Sequence, residues 1–304
     1  MNTTVMTATR RVSSLGLPPL IVLCLAATWL IWGSTYLAIK IALPGFPPFL
    51  QMGSRFLVAG ALLMAWMRWR GAPWPNRVQW RNALVIGTLM LGAGMGGTAV
   101  AEQTIGSGLV VAFIAVVPLM IAALNLLWGV KPSATQAAGI VVGLAGVLML
   151  TQGAGFQASP AGLTAITLAC TGWSLGSVLS QRALPLARGA TGFASEMLCG
   201  GVVLMLMSAL HGEPLRWPSP AVAGAAWAAW IYLVVFGSLI AFNAYMLLLA
   251  RAPAAIASSY TFVNPVIAML LGVIVAGESV TTFEWAAVSV VLGGVLLLLW
   301  RRAR

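Results

Sequence analysis

The sequence predicts an all-α integral membrane protein: ten transmembrane helices arranged as two inverted five-helix repeats. Three observations carry this. Of 304 residues, 61% are hydrophobic and 7% charged, against about 25% charged in a soluble domain. So few ionised side chains cannot coat a water-facing surface of this size. The apolar residues also gather into runs near the ~20 residues a helix needs to cross a bilayer. Finally, the second half of the chain echoes the first.

Uncharged runs bounded by Arg, Pro or Gly place spans 1 to 10 at 19–39, 46–67, 82–101, 106–127, 134–151, 161–181, 190–210, 222–247, 254–276 and 282–300. Arg10 and Arg11 precede span 1 as they would in a secretory signal. The uncharged stretch from Leu15 to Ile39 is far longer than a signal's apolar region, so span 1 is expected to stay in the mature protein. Cys24, Cys170 and Cys199 all fall inside apolar runs, without CxxC spacing, and read as small buried hydrophobes.

The net charge of +11, from 16 Lys and Arg against 5 Glu, would suggest nucleic acid if it were clustered. It is not clustered; it punctuates the apolar runs. An even number of spans puts both termini on one side, and that side collects Arg10, Arg11, Arg68, Arg70, Arg77, Arg81, Lys131, Arg182, Arg188, Arg251, Arg301, Arg302 and Arg304. The other side holds Lys40 and Arg216. By the positive-inside rule the termini are cytoplasmic, and the basic balance is a topology signal. Trp66, Trp69, Trp74, Trp80, Trp128, Trp217, Trp285 and Trp300 lie near span ends, as interfacial belts require. Trp29, Trp32 and Trp173 sit near mid-span, where an indole must face lipid, a packed helix or a cavity.

Shifting spans 4 and 5 by 147 positions superposes Val116-x-Pro118 on Val263-x-Pro265, Thr135 on Thr282 and Gly146 on Gly293. Gly33-Ser34 in span 1 echoes Gly176-Ser177 in span 6, and Ser54-Arg55 in span 2 echoes Ser195-Glu196 in span 7. Five spans per copy is odd, so the second copy enters the membrane from the opposite face and the repeats are inverted. The division falls at 1–151 and 152–304. Pro118 and Pro265, at matching depths, each remove a backbone hydrogen bond and are expected to loosen their helices as gates. Small residues four apart, Gly92 with Gly96, Gly139 with Gly143 and Ser289 with Gly293, mark faces where backbones approach closely. Gly92-x-Gly94-x-x-Gly97 has the spacing of a dinucleotide fingerprint, but it follows no strand and is rejected as one.

Ionisable groups within spans are expensive. Arg55 and Glu196 are repeat mates of opposite sign, and each reads either as a structural element that fixes the bundle or as a gate sensitive to protons. Glu102 and Gln103 close span 3, where a solvated rim is expected. Asn243 and Asn264, with Tyr245 and Tyr260 close by, need hydrogen bonds from a neighbouring helix or a substrate. Enzyme chemistry finds little to work with: His211 and Glu213 fall in a loop, Asp is absent, and no metal or nucleotide motif is present. No cofactor is expected.

The runs Trp29-Leu-Ile-Trp32-Gly33-Ser34-Thr35-Tyr36, Ser54-Arg55-Phe56, Val117-Pro118-Leu119, Glu196-Met197-Leu198, Phe236-Gly-Ser238-x-x-Ala241 and Tyr260-x-x-Val263-Asn264-Pro265 resemble the EamA type of the drug/metabolite transporter (DMT) superfamily. Within it the likeness is to YedA-like and YddG-like inner-membrane exporters. The resemblance implies ten helices in two inverted repeats, cytoplasmic termini and export of small metabolites such as aromatic or apolar amino acids. A central cavity worked by alternating access in a monomer is the mechanism expected; a facilitator, an exporter of sugars or drugs, or a channel-like bundle are the alternatives. It makes Trp32, Met90, Gly94, Trp173, Asn243, Tyr260 and Asn264 candidate substrate-binding residues. Arg55, Pro118, Glu196 and Pro265 are candidates for gating or structure. The partners expected are a small-molecule substrate and the lipid bilayer.

Overall fold

The sequence supplies a proline or capping start signal for half of the helices, and the computed structural model begins them there. It describes residues 18–153, 159–213, 223–252 and 260–299; Arg216, Trp217 and Trp300 lie outside this set. Span 1 is Pro19–Ala42 and span 2 Pro48–Trp69, each opened by a proline whose missing N–H is no loss in a first turn. Span 3 is Arg77–Ala101, opened by a reciprocal cap between Asn76 and Gln79. Span 4 is Ser107–Trp128. Span 5, Ala134–Thr151, uses the same device with Ser133 and Gln136, and span 6, Pro160–Arg182, starts on Ser159 and Pro160. Span 7 is Ala190–Leu210. Span 8 runs through Ala223–Tyr232, Leu233–Ile240 and Ala241–Arg251. Span 9 is Tyr260–Ala276 and span 10 Thr282–Leu299. These are the ten crossings the hydropathy pattern predicts.

Large apolar side chains such as Leu127, Leu148, Leu210 and Ile274 are exposed around the outside, where lipid replaces water. Inside, two of the most extensive interfaces each set a span against its own repeat mate: span 2 on span 7 and span 5 on span 10. Span 1 packs on spans 8 and 9, and span 6 repeats this against spans 3 and 4. This is the contact pattern of two inverted five-helix repeats about a pseudo-two-fold axis.

Glycines set the closest approaches, as expected where packing and not hydrophobicity drives association. A Cβ on Gly60 would lie 3.0 Å from the Leu198 amide, and one on Gly146 would lie 2.6 Å from the Val291 amide. At the same interface Gly294 abuts Gly143. The expectation for Ser289 and Gly293 was off by one residue of phase: Ser289 is exposed, and a Cβ on Gly293 would meet nothing within 4 Å.

The paired prolines behave differently. Span 4 stops at Ile114 and restarts at Val117, so Pro118 stands in the first turn of a new helical segment. Span 9 continues through Pro265 unbroken.

A candidate substrate site between spans 1, 3, 6, 8 and 9

In the middle of spans 3 and 8 the helix widens. Thr88–Met95 and Leu233–Ile240 are both π-helical, eight residues each at matching places in the two repeats. A π-turn inserts a residue into the ladder and weakens the local hydrogen bonds, and such turns gather at functional sites. The shift of 143 that pairs Gly33 with Gly176 also pairs Gly94 with Gly237, one in each widened segment.

Each of these glycines faces a mid-span tryptophan. A Cβ on Gly94 would lie 3.1 Å from Trp173 of span 6, and the Gly237 carbonyl accepts a 3.1 Å hydrogen bond from Trp32 Nε1 of span 1. Met90 fills the space left by the missing side chain of Gly176. Trp32 is thus held, whereas the Trp173 indole N–H has no partner among the described residues. Around Trp32 stand Tyr245, Tyr260 and Phe242, with ring centroids at 5.1, 5.0 and 6.4 Å, and the two tyrosines are 5.4 Å apart. Trp32, Met90, Trp173, Tyr245 and Tyr260 are only partly buried. Together these side chains can stack on an apolar or aromatic solute and offer hydroxyl and indole donors at its edges.

Other candidates fall elsewhere. Asn264 is buried, and its amide nitrogen donates to the carbonyls of Tyr260 and Trp29 at 3.2 Å, tying span 9 to span 1. Asn243 is exposed and donates to Leu239 of its own helix at 2.6 Å, outside the aromatic cluster.

Arg55 and Glu196 do not pair. The contacts of Gly53 with Met205 and of Gly60 with Leu198 set spans 2 and 7 antiparallel, so Arg55 lies level with Val203. Seven residues along a helix is about 10 Å. Inversion places the mates at mirror depths and keeps their charges apart. Arg55, 4% exposed, donates through Nε to Ser238 Oγ at 2.9 Å and through Nη1 to Met52 Sδ at 3.7 Å, and lies 4.8 Å from the Phe56 ring centroid. None of these carries a negative charge, so the ~2.5–3.5 kcal/mol or more that a mid-membrane cation costs is not offset by an ion pair.

At the face opposite the termini, acidic groups hold helix starts. Glu213 accepts from the Phe49 and Leu50 amides at 3.1 and 2.8 Å, completing the first turn of span 2. Glu278 does the same for span 4, accepting from the Ser107 and Gly108 amides at 2.8 and 3.2 Å, and it pairs with Lys40 of span 1 at 2.8 Å. Burial raises the Glu278 carboxyl, but Lys40 and these amides outweigh it and hold it below its ordinary value. Glu102, expected on a solvated rim, is 1% exposed, and neither of its oxygens has a partner among the described residues. Burial pushes its carboxyl well above the usual range; Lys40 pulls it down and Glu278 pushes it further up. Sequence position alone put Glu102 at a span end, whereas the fold buries it near Tyr36 and Lys40 of span 1 and near Glu278.

The EamA-like transporter family matches this chain twice, over residues 19–152 and 160–300. The chain belongs to the EamA-like transporter family. It is a multi-pass membrane transporter of that family, within the DMT superfamily. Among its relatives is YedA of Escherichia coli K12, named an uncharacterized inner membrane transporter; the two are 41% identical over 275 residues, 90% of this chain and 89% of YedA. The protein PecM of Dickeya dadantii is 26% identical, covering 88% of each chain. One solved crystal structure shares the fold, with a TM-score of 0.64 at 23% identity, covering 91% of this chain and 96% of that one.

The residues that sequence reasoning passed over as a site are Gly237 and Ser238. The repeat shift that pairs Gly33 with Gly176 was the available signal, since it also pairs Gly94 with Gly237, but the helix widening that makes these glycines matter is a property of the folded backbone.

Proposed function

We propose that this EamA-family transporter exports small metabolites, amino acids with aromatic or apolar side chains among them, across the inner membrane by alternating access. The observation that carries the reading is the aromatic cluster of Trp32, Tyr245 and Tyr260, with Trp173 across from it, set between two widened helices related by the repeat symmetry. Trp32 and Trp173 stack the solute's apolar part. Met90 and Gly94 shape the span 3 wall, and Tyr260 bonds a polar end. Asn264 positions Trp29 and Tyr260 from behind through its two carbonyl contacts. The broken helix at Pro118 and the π-helical segments supply the hinges about which the repeats rock. The termini face the cytoplasm, and the transporter acts as a monomer.

Export of labelled phenylalanine and leucine from proteoliposomes tests this. Trp173→Ala is expected to lower the rate about fivefold or more by removing a stacking surface worth ~1 kcal/mol or more. Asn264→Ala is expected to lower it too, by releasing Tyr260. Unchanged rates in both variants would sink the site.

A further inference from the structure

We propose that Arg55 is the subsite for a carboxylate on the transported solute. The inference rests on the aromatic site proposed above and deepens it by naming the charge the solute carries.

A guanidinium offers five N–H donors. In Arg55 two contacts use donors, one to a hydroxyl and one to a thioether, and Nη2 has no hydrogen bond among the described residues. Glycine at position 237 keeps that end uncovered: a Cβ there would lie 3.1 Å from Nη2. The same glycine's carbonyl holds the Trp32 indole at 3.1 Å. One residue of the widened span 8 therefore joins the guanidinium to the wall of the aromatic cluster.

The neighbouring charges leave this role to Arg55. Lys40 is bound to Glu278 at 2.8 Å. Glu196 is about two helical turns away along span 7. A buried guanidinium with neutral partners is a site for an anion brought from outside, and a carboxylate matches its planar fork. A carboxylate held there leaves the rest of the solute beside Trp32.

The experiment measures thermal stabilisation and tryptophan fluorescence of the purified full chain in detergent at neutral pH. It compares phenylalanine with phenylalaninamide and 3-phenylpropionate with 3-phenylpropionamide. The acids are expected to bind the native protein about tenfold or more tightly than the amides, the worth of a charge-assisted hydrogen bond. Arg55→Gln is expected to abolish that preference while keeping the response to the amides, and Arg55→Lys to keep part of it. Gly237→Ala, which retains the charge but caps Nη2, is expected to weaken the acids selectively.

Equal binding of acid and amide to the native protein overturns the proposal, as does a preference that survives in Arg55→Gln. If acid and amide bind equally and Trp173→Ala loses both, the aromatic site stands and the Arg55 subsite falls. If no member of either pair binds, both fall. Should Arg55→Gln not fold, the comparison in the native protein and in Arg55→Lys decides.

Discussion

Glu102 shows how much one side chain's surroundings change its meaning. Both oxygens are buried and unbonded among the described residues, one position past the end of span 3, facing Tyr36 and Lys40 of span 1 and Glu278 of the span 9–10 connection. A carboxyl raised by burial contributes stability that is whole below the unfolded value, about 4.3, and is lost as pH rises through the folded value. Glu278, held below its ordinary value, has the opposite sign: its contribution is whole above the unfolded value and is lost as pH falls through the folded one. Warming the purified protein at a series of pH values from about 5 to about 9 separates them. Native protein is expected to lose stability toward the alkaline end, and Glu102→Gln to flatten that loss, a gain of about 1–3 kcal/mol at that end, where the native carboxyl ionises without a partner. Parallel curves for the two proteins would show that Glu102 is satisfied in solution.

The inter-repeat interfaces are built from glycine, and the helix phase of each glycine decides what a methyl would do. On span 5, Gly146 lies against the backbone of Val291, and on span 10, Gly293 faces open space. Gly146→Ala is therefore expected to cost about 1–3 kcal/mol by forcing spans 5 and 10 apart. Gly293→Ala is expected to be neutral or to stabilise by up to about 1 kcal/mol, since alanine restricts the unfolded chain and favours helix. Thermal unfolding of the two variants side by side checks this, and equal losses would mean the interface has a different register. Sequence spacing located the small-residue stripes correctly on spans 3 and 5 but chose Gly293 where Gly294 makes the contact. A four-residue spacing defines a face only to within one position, and only the partner helix picks the phase. The same limit applies to the prolines: their equivalent places were legible, but the helix breaks before Pro118 and stays continuous through Pro265.

Across the whole molecule, inversion accounts for charges that look contradictory within the sequence. Lys131 and Glu278 are 147 positions apart, the shift that superposes the repeats, yet one is basic and the other acidic. Repeat mates emerge on opposite faces of the membrane, and the terminus-bearing face collects the arginines and lysines while the opposite face uses glutamates to hold helix starts. The orientation this implies is open to a direct check. A membrane-impermeant thiol reagent is expected to label Gln103→Cys in intact cells and Ser133→Cys only after lysis, in a background with Cys199 replaced by Ser. Both positions are exposed, Cys24 and Cys170 are buried, and Cys199, expected to be buried, is only half-buried. The reverse pattern would turn the protein over. The chain's apolar periodicity by itself determined the number of crossings, their limits to within a few residues and the duplication, because a bilayer leaves a backbone few alternatives to full-length helices. Tertiary structure alone decided which groups meet: Arg55 with Ser238 and not Glu196, Asn264 with Trp29 and not open space, Glu102 in a closed interior. Those outcomes depend on helix rotation and on the antiparallel register between repeats, which glycine contacts and two π-helical segments set and which no linear pattern encodes.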